Sequence, residues 1–262
     1  MSELLDIKGR TAFVTGAGQG VGRQVALYLA QHGAGAVVVN DFHAERAESV
    51  AAEVEAAGAK ALPLAFDVSD FEAVGAAFAE AQETFGGVDI LVNNARFVRP
   101  GGVMDGGDLV FAQQEMEVNC LGLMRLAQAF GPVMRGRGAD GVNSATAWVN
   151  ILSIYAYCNL PQFGVYSASS AAAHSLSQCL RSEMRTGGVR VMNVYTGPTE
   201  DEWHQPLPPP KVTASKLASA VVEGLQDGLE EVYVGDLAKD LIDRWSAEPK
   251  LLELEMTRQG GG

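Results

Sequence analysis

The fold of this chain is decided by residues 11–22, which read TAFVTGAGQGVG. The segment 11–15 is apolar and typical of a buried strand, and residues 20–32 then follow with helical periodicity. Glycines at such a turn let backbone amides approach a pyrophosphate at the N-terminus of the helix, although a tight turn alone also uses glycine. We expect the cofactor contacts of this loop to come from Gly16, Gly18, Gln19, Gly20, Val21 and Gly22.

The rest of the chain continues the alternation of strand and helix. Further apolar strands are predicted at 36–40, 61–66, 89–92, 148–152, 189–194 and 232–234, with helices at 44–57, 70–85, 110–134, 162–184 and 215–229. Continuous apolar strands that alternate with helices indicate a parallel sheet covered on both faces. The predicted fold is a doubly wound, Rossmann-like parallel sheet of about seven strands in a three-layer α/β/α sandwich. Ligands of such folds bind beyond the C-terminal ends of the strands.

The organisation of the chain is simple. Its 262 residues, 47% of them hydrophobic, favour one dinucleotide-binding and catalytic domain over 1–262. The proline-rich stretch 196–211 follows a strand end and is interpreted as a substrate-loop insertion, although it could be a linker. Residues 256–262 are expected to form a flexible tail.

Charge and composition exclude several classes of function. The net charge of -13 argues against binding to nucleic acid or to an anionic membrane. The N-terminus carries no signal pattern, and no apolar run reaches the roughly 18 residues of a transmembrane helix. The three cysteines lie far apart, which favours reduced thiols in a cytoplasmic protein, and no metal site is expected.

Asp41 follows the second predicted strand. An acid at this position can accept hydrogen bonds from both adenosine ribose hydroxyls and would repel a 2'-phosphate. An aspartate that caps a helix or turn would be the alternative. The cofactor is therefore predicted to be NAD rather than NADP.

Ser153 follows the fifth strand, and Tyr166 comes thirteen residues later in a segment that continues Ser167-Ala168-Ser169-Ser170. Together with the glycine loop, this order resembles the short-chain dehydrogenase/reductase family over about residues 7–235. The resemblance implies an NAD(H)-dependent oxidoreductase that interconverts a secondary alcohol and a ketone. Ser153 would orient the substrate oxygen, Tyr166 would act as acid and base, and Asn119 would hold a water in a proton relay.

The resemblance also implies roles for residues at other strand ends. Asp67 and Val68 would lie beside the adenine ring, and Asn94 and Ala95 would lie along the cofactor. Pro198 would line the nicotinamide, although its order in Gly197-Pro198 is the reverse of the family's.

Two further departures concern charge. Ser170 stands where the family has a lysine, whose cation lowers the pKa of the neighbouring tyrosine from about 10. Arg96 stands where the family has glycine, and it either lies on the surface or brings a cation to the active site. His174, Lys211 and Lys216 are the other candidates to replace the lysine.

Aromatic residues follow the fifth and sixth strands. Tyr155, Tyr157, Trp203 and His204 suggest a pocket for an apolar or aromatic alcohol or ketone. Alternatively, the two tyrosines pack at the sheet edge and Trp203 at a subunit contact. Small residues on the helix of Tyr166 permit close packing, and the resemblance implies a homodimer or a homotetramer.

Three functions compete at this point. The first is the NAD-dependent dehydrogenase/reductase. The second is a non-redox lyase, dehydratase or dehalogenase on the same scaffold, since halohydrin dehalogenases pair serine and tyrosine with arginine but lose the dinucleotide loop. The third is a catalytically silent cofactor-binding subunit, which Ser170 and Arg96 would both fit.

Overall fold

The computed structural model describes residues 5–104, 109–139, 146–205 and 207–259. Within these ranges, seven strands form one parallel sheet in the order β3-β2-β1-β4-β5-β6-β7. The strands are β1 Thr11–Val14, β2 Ala36–Asp41, β3 Lys60–Ala65, β4 Ile90–Asn93, β5 Ala147–Ser153, β6 Arg190–Thr196 and β7 Glu231–Val234. The predicted doubly wound parallel sheet is confirmed.

Helices cover both faces of this sheet. They are α1 Gly20–Gln31, α2 Ala44–Ala56, α3 Phe71–Phe85, α4 Leu109–Met116, α5 Gly122–Ala139, α6 Gly164–Arg185, α7 Ala214–Asp227, α8 Asp236–Ala247 and α9 Pro249–Gln259. One hydrophobic cluster joins the sheet to α1, α2 and α7, and a second joins it to α3, α5 and α6. No helix in the described part of the chain is both long and apolar enough to span a membrane.

The central strands are buried and mostly apolar because each side chain meets a helix on one face or the other. In β1, Ala12 and Val14 belong to the first cluster, whereas Phe13 belongs to the second. The Phe13 ring meets the edge of Phe130 from α5 at a centroid distance of 4.9 Å. This burial explains why the strands lack the alternation of polar and apolar residues that marks a half-exposed sheet.

Three asparagines lie side by side across the centre of the sheet. Asn93, Asn150 and Asn193 occupy paired positions on β4, β5 and β6. Asn93 Nδ2 donates to Asn150 Oδ1 at 3.4 Å, and Asn150 Nδ2 donates to Asn193 Oδ1 at 3.0 Å. Asn193 Nδ2 then donates to Ser177 Oγ of α6 at 3.0 Å. The network ties the sheet to α6, the helix that carries Tyr166.

Two predictions about helices need correction. The helix predicted at 110–134 is interrupted by a π-helical turn, Glu117–Leu121, between α4 and α5. The flexible tail was predicted at 256–262, but its first residues belong to α9, which extends to Gln259, and Met256 is 5% exposed. Met256 and Leu252 pack in the second hydrophobic cluster, which gives this helix an apolar anchor. Residues 260–262 lie outside the described residues.

Candidate active site at the carboxyl edge of the sheet

The glycine loop after β1 is built around close backbone contacts. Gly16 and Gly20 have φ angles of 60° and 54°, in the region that glycine adopts most readily. A Cβ on Gly22 would lie 2.2 Å from Gly16 O, and a Cβ on Gly18 would lie 2.6 Å from the Asp41 carboxylate. The loop therefore needs glycine at each of these positions, and its amides sit at the N-terminus of α1, where they can receive a phosphate.

Asn94 fastens this loop to the end of β4. Its Nδ2 donates to Thr15 O and to Gly16 O, each at 3.0 Å. In return, Thr15 Oγ1 accepts from the amides of Asn94 and Ala95, each at 3.0 Å. Thr15 was not among the predicted site residues, although a hydroxyl at the carboxyl end of a strand next to a glycine loop could have indicated it.

Asp41 ends β2 and is 6% exposed. Its Oδ2 accepts from the Gly18 amide at 3.1 Å, and its Oδ1 accepts from the His43 amide at 3.0 Å. The carboxylate thus supports both the glycine loop and the turn into α2, as the alternative interpretation expected. It also lines the cleft, so the same carboxylate is available to a ligand.

A cleft of about 780 Å³ lies beyond the carboxyl ends of β1, β2, β3 and β4. It brings together twelve of the predicted site residues, namely Gly16, Gln19, Gly20, Val21, Gly22, Asp41, Asp67, Val68, Asn94, Ala95, Arg96 and Trp203. Gly18, Pro198, Asn119, Ser153, Tyr155, Tyr157, Tyr166, Ser170 and His204 are not part of its lining. The cleft therefore holds ten of the twelve predicted cofactor residues together with Arg96 and Trp203, whereas Asn119, Ser153, Tyr166 and Ser170 lie outside its lining.

Asn119 lies in the π-helical turn and connects three segments. Its Oδ1 accepts from the Phe97 amide, and its Nδ2 donates to Phe97 O, each at 2.8 Å. The same Nδ2 donates to Ser169 Oγ of α6 at 3.0 Å. Both amide hydrogens are used within the protein. The side chain therefore fixes the segment after β4 against the helix of Tyr166.

Ser153 and Tyr166 are both buried. Ser153 ends β5 with 5% exposure, and its Oγ accepts from the Tyr155 amide at 3.2 Å. Tyr166 lies in the first turn of α6 with 4% exposure, and Ser170 follows one turn later with 5% exposure. No described residue forms a hydrogen bond with Tyr166 Oη or Ser170 Oγ. The hydroxyls of Tyr166 and Ser170 are thus available to form hydrogen bonds with a ligand.

Arg96 reaches across to the loop after β6. Its Nη2 donates to Thr199 Oγ1 at 2.7 Å and to Asp201 Oδ2 at 2.8 Å. Burial by itself would raise the pKa of Asp201, but the hydrogen bond from His204 and the charge of Arg96 hold that pKa well below its usual range. Arg96 is therefore neither a free surface residue nor an unpaired cation.

Trp203 lies on the same loop and packs over Arg99. The guanidinium carbon of Arg99 is 4.2 Å from the Trp203 ring centroid and 5.0 Å from that of Phe97. The buried Glu115 accepts from the Arg99 amide at 2.9 Å, and burial raises the pKa of Glu115 to about 7. Arg99 and Glu115 were not predicted, since neither belongs to a local motif.

Tyr157 lies away from the cleft, in an aromatic cluster at the sheet edge. Its ring centroid is 4.7 Å from that of His174, 5.1 Å from that of Tyr195 and 5.0 Å from that of Trp245. His174 Nδ1 lies 2.6 Å from Tyr195 Oη, so this histidine faces the cluster. The alternative interpretation, packing at the sheet edge, describes Tyr157.

Lys211 and Lys216 were the two lysines considered as replacements for the family's active-site lysine. Lys211 Nζ donates to Gln205 O at 3.0 Å, and Lys216 is exposed on α7. Neither lysine has a described contact with Tyr166.

A doubly wound parallel sheet with a glycine loop after β1, an acid at the end of β2 and a cleft at the carboxyl edge is typical of a dinucleotide-binding α/β oxidoreductase. The chain belongs to the short-chain dehydrogenase family, whose model matches residues 10–211.

Known proteins similar to this chain agree with the assignment. The Mycobacterium tuberculosis protein described as "Probable oxidoreductase EphD" is 38% identical over 185 residues, which cover 70% of this chain but only 30% of that protein. The "Ketoacyl reductase HetN" of Nostoc sp. is 30% identical over 235 residues, which cover 87% of this chain and 79% of that protein. A short chain dehydrogenase from Burkholderia cenocepacia, solved in complex with NADP, is 31% identical and superposes with a TM-score of 0.85 over 96% of this chain and 99% of that one.

Proposed function

We propose that this protein is an NAD(H)-dependent oxidoreductase that interconverts a secondary alcohol and a ketone. The observation that carries the proposal is the placement of Ser153 at the end of β5 and Tyr166 in the first turn of α6, both buried. Ser153 Oγ accepts from the Tyr155 amide and keeps its own hydrogen to donate, and Tyr166 Oη has no hydrogen bond to a described residue. In oxidation, Ser153 Oγ would donate to the substrate oxygen and Tyr166 Oη would take its proton. NAD would supply the acceptor for the substrate's hydride.

The residues that would hold the cofactor fit a dinucleotide. A Cβ at Gly16, Gly18 or Gly22 would come within 3 Å of other protein atoms, so only glycine permits the tight turn that leads into the N-terminus of α1, which would bind the pyrophosphate. Asp41 would accept from the ribose hydroxyls, and Asp67 and Val68 would flank the adenine. Asn94, Ala95 and Pro198 would lie nearer the nicotinamide.

The preference for NAD over NADP rests on Asp41. A 2'-phosphate carries about two negative charges, and it would place them close to the Asp41 carboxylate. Asp41 already accepts hydrogen bonds from two backbone amides, which hold it in place. Arg46 also lines the cleft and could offset part of that repulsion. Because the Burkholderia relative was solved with NADP, the choice of cofactor is the first thing to measure.

Ser170 takes the place that lysine has in the family. Serine can still hydrogen-bond one ribose hydroxyl, but it brings no charge to Tyr166. The active site is thus proposed to be a divergent one, in which a positive charge comes from elsewhere or turnover needs alkaline conditions.

The substrate is proposed to be small and apolar or aromatic, with Tyr155, Trp203 and His204 near it. The loop at 196–211 would form part of its pocket within a single domain over the whole chain. Assembly as a homodimer or homotetramer and a cytoplasmic location complete the proposal.

The decisive experiment combines binding with turnover. NADH and NADPH are titrated separately against the melting temperature, and a panel of alcohols and ketones is followed by NADH absorbance. We expect NADH to bind more tightly and Tyr166→Phe to abolish turnover while NADH still binds. Tyr157→Phe is the matched control, since Tyr157 lies in the sheet-edge cluster. Tighter NADPH binding would overturn the cofactor assignment.

A catalytically silent cofactor-binding subunit is the second candidate. The observation that favours it is that the described residues place no hydrogen-bonding cation beside Tyr166 Oη. In that case NADH would raise the melting temperature, but no alcohol or ketone would be turned over at any pH. A non-redox lyase, dehydratase or dehalogenase would instead transform its substrate with no change in NADH absorbance.

A further inference from the structure

Arg99 follows β4, and its guanidinium packs among three aromatic rings that come from three different segments. The central carbon of the guanidinium lies 4.2 Å from the ring centroid of Trp203, 5.0 Å from that of Phe97 and 5.3 Å from that of Phe111. Phe97 also follows β4, Phe111 belongs to α4, and Trp203 lies on the loop after β6. Aromatic faces attract a cation, so the three rings hold the guanidinium in place.

The charge of Arg99 has no counter-ion in the part of the chain that the structure describes. No described carboxylate forms an ion pair with the guanidinium, and no described residue accepts a hydrogen bond from it. Its Nε atom is buried and still lacks an acceptor. A buried donor without an acceptor costs free energy, which a ligand oxygen could recover. By contrast, seven other described arginines form ion pairs with acids, namely Arg23, Arg96, Arg125, Arg137, Arg181, Arg185 and Arg244.

The acids on the neighbouring segments do not neutralise Arg99. Glu115 is buried, and its Oε1 accepts from the Arg99 backbone amide at 2.9 Å and not from the guanidinium. Because burial raises the pKa of Glu115 to about 7, this carboxyl offsets the charge of Arg99 only in part near neutral pH. Asp201 is already paired with Arg96. The other acids of the loop after β6 are exposed to solvent, namely Glu200 and Glu202.

The aromatic cluster lies beside the cleft, on the side of the proposed reacting groups. Phe97 and Trp203 line the cleft, and Arg99 is half-buried next to them. The residue after Trp203 is the buried His204, whose ring centroid is 6.2 Å from that of Tyr166. These segments follow β4, β5 and β6, whereas the adenosine of the cofactor is proposed to bind at the end of β2. The unpaired guanidinium is therefore on the substrate side of the site.

We propose that Arg99 is a specificity-determining residue that binds a carboxylate of the substrate, while Phe97 and Trp203 pack against the apolar part of the same molecule. A guanidinium held between ring faces keeps its N–H groups free in its own plane, and two parallel N–H groups match the two oxygens of a carboxylate. The inference rests on the proposed function. It narrows the substrate to a hydroxy acid or keto acid with an aromatic or apolar body.

The first test measures binding and needs no turnover. Benzoate and benzamide have nearly the same shape, but only benzoate is charged. Each is titrated calorimetrically against wild type and Arg99→Met, with and without NADH. We expect wild type to bind benzoate about 10- to 100-fold more tightly than benzamide, and Arg99→Met to bind the two alike. No benzoate binding, equal binding of the two compounds to wild type, or an unchanged preference in Arg99→Met would overturn the proposal.

The titrations with NADH separate a substrate site from a cofactor site. Benzoate should bind as tightly in the presence of NADH as in its absence, because the carboxylate site lies on the substrate side. Competition between benzoate and NADH would assign Arg99 to the phosphates of the cofactor and overturn the proposal.

Three further variants separate the role of Arg99 from changes in fold or net charge. Arg99→Lys keeps the charge but loses the planar pair of donors, so we expect it to keep only part of the preference for benzoate. Arg185→Met removes one positive charge from an exposed pair with Glu230 and should keep the whole preference. If Arg99→Met does not fold, Arg99→Gln keeps a polar side chain without the charge and should lose the preference in the same way.

A turnover assay then distinguishes failure of this inference from failure of the proposed function. Aromatic keto acids are compared with their amides, and we expect Arg99→Met to lower kcat/KM for each acid about 10- to 100-fold more than for its amide. If wild type reduces amides as efficiently as acids, this inference fails and the proposed function stands. If benzoate binds through Arg99 but no alcohol or ketone is turned over, the carboxylate site stands and the proposed function fails.

Discussion

Arg96 Nη2 lies 2.8 Å from Asp201 Oδ2, although 105 positions separate the two residues in the chain. The side chains are 22% and 25% exposed, so water screens the pair only in part. Arg96 follows β4 and Asp201 follows β6, and both line the cleft. The pair therefore fastens the loop after β6 to the central edge of the sheet, next to the residues proposed to bind the cofactor.

Removing the arginine should loosen this loop. We expect Arg96→Met to lower the free energy of unfolding by about 1–3 kcal/mol, because it leaves a half-buried carboxylate with one fewer charged donor. Arg185→Met is the control, since Arg185 is 70% exposed in its pair with Glu230 and should change stability by less than about 1 kcal/mol. Urea denaturation measures both, and equal effects would show that the Arg96 pair is no stronger than a surface one.

The contribution of Asp201, which is paired with Arg96 and His204, to the stability of the protein should depend on pH. The pKa of Asp201 is lower in the folded protein than its ordinary value of 3.8, so its stabilising contribution is present above that value and is lost as the pH falls through the folded pKa. We therefore expect wild type to be more stable than Asp201→Asn by a constant margin above about pH 5. The margin should shrink on acidification. Urea unfolding at several pH values measures it, and a margin that grows toward low pH would contradict the assignment.

The contribution of Glu115 to stability should depend on pH in the opposite direction. Burial raises its pKa from 4.5 to about 7, so its favourable contribution is complete below about 4.5 and has been lost once the pH has risen through about 7. Glu115→Gln keeps an oxygen that can accept from the Arg99 amide and removes the ionisation. We expect the variant to gain stability relative to wild type between about pH 5 and pH 7.5. Melting temperatures across this range test it, and parallel curves would show that Glu115 ionises normally.

Two helical glycines offer a contrast in packing. A Cβ on Gly22 in α1 would lie 2.2 Å from Gly16 O, whereas a Cβ on Gly75 in α3 would meet nothing within 4 Å. We expect Gly22→Ala to destabilise the protein by about 1–3 kcal/mol and to weaken NADH binding, because it forces the glycine loop apart. Gly75→Ala should instead stabilise it by about 0.5–1 kcal/mol through helix propensity. Equal effects of the two substitutions on NADH binding would contradict this account of the loop.

The parts of the fold that could be predicted are those with local signals. The strands β1, β2, β4 and β5 are short apolar runs because helices cover both faces of the sheet, and the glycine loop is a contiguous motif. The π-helical turn at Glu117–Leu121 could not be predicted, since it accompanies hydrogen bonds from Asn119 to Phe97 and Ser169 on other segments. The helix α9 was missed because its anchors, Leu252 and Met256, pack against a cluster formed by distant residues.

The order of amino acids is enough to define a doubly wound parallel sheet, the glycine loop after β1, and the succession of Ser153, Tyr166 and Ser170. Each of these depends on neighbours along the chain. The partner of Arg96, the burial of His204 against Tyr166 and the position of Tyr157 at the sheet edge follow only from the folded chain. These contacts join the segments after β4, β5 and β6, and parallel strands bring those segments to one edge of the sheet although long stretches of sequence separate them.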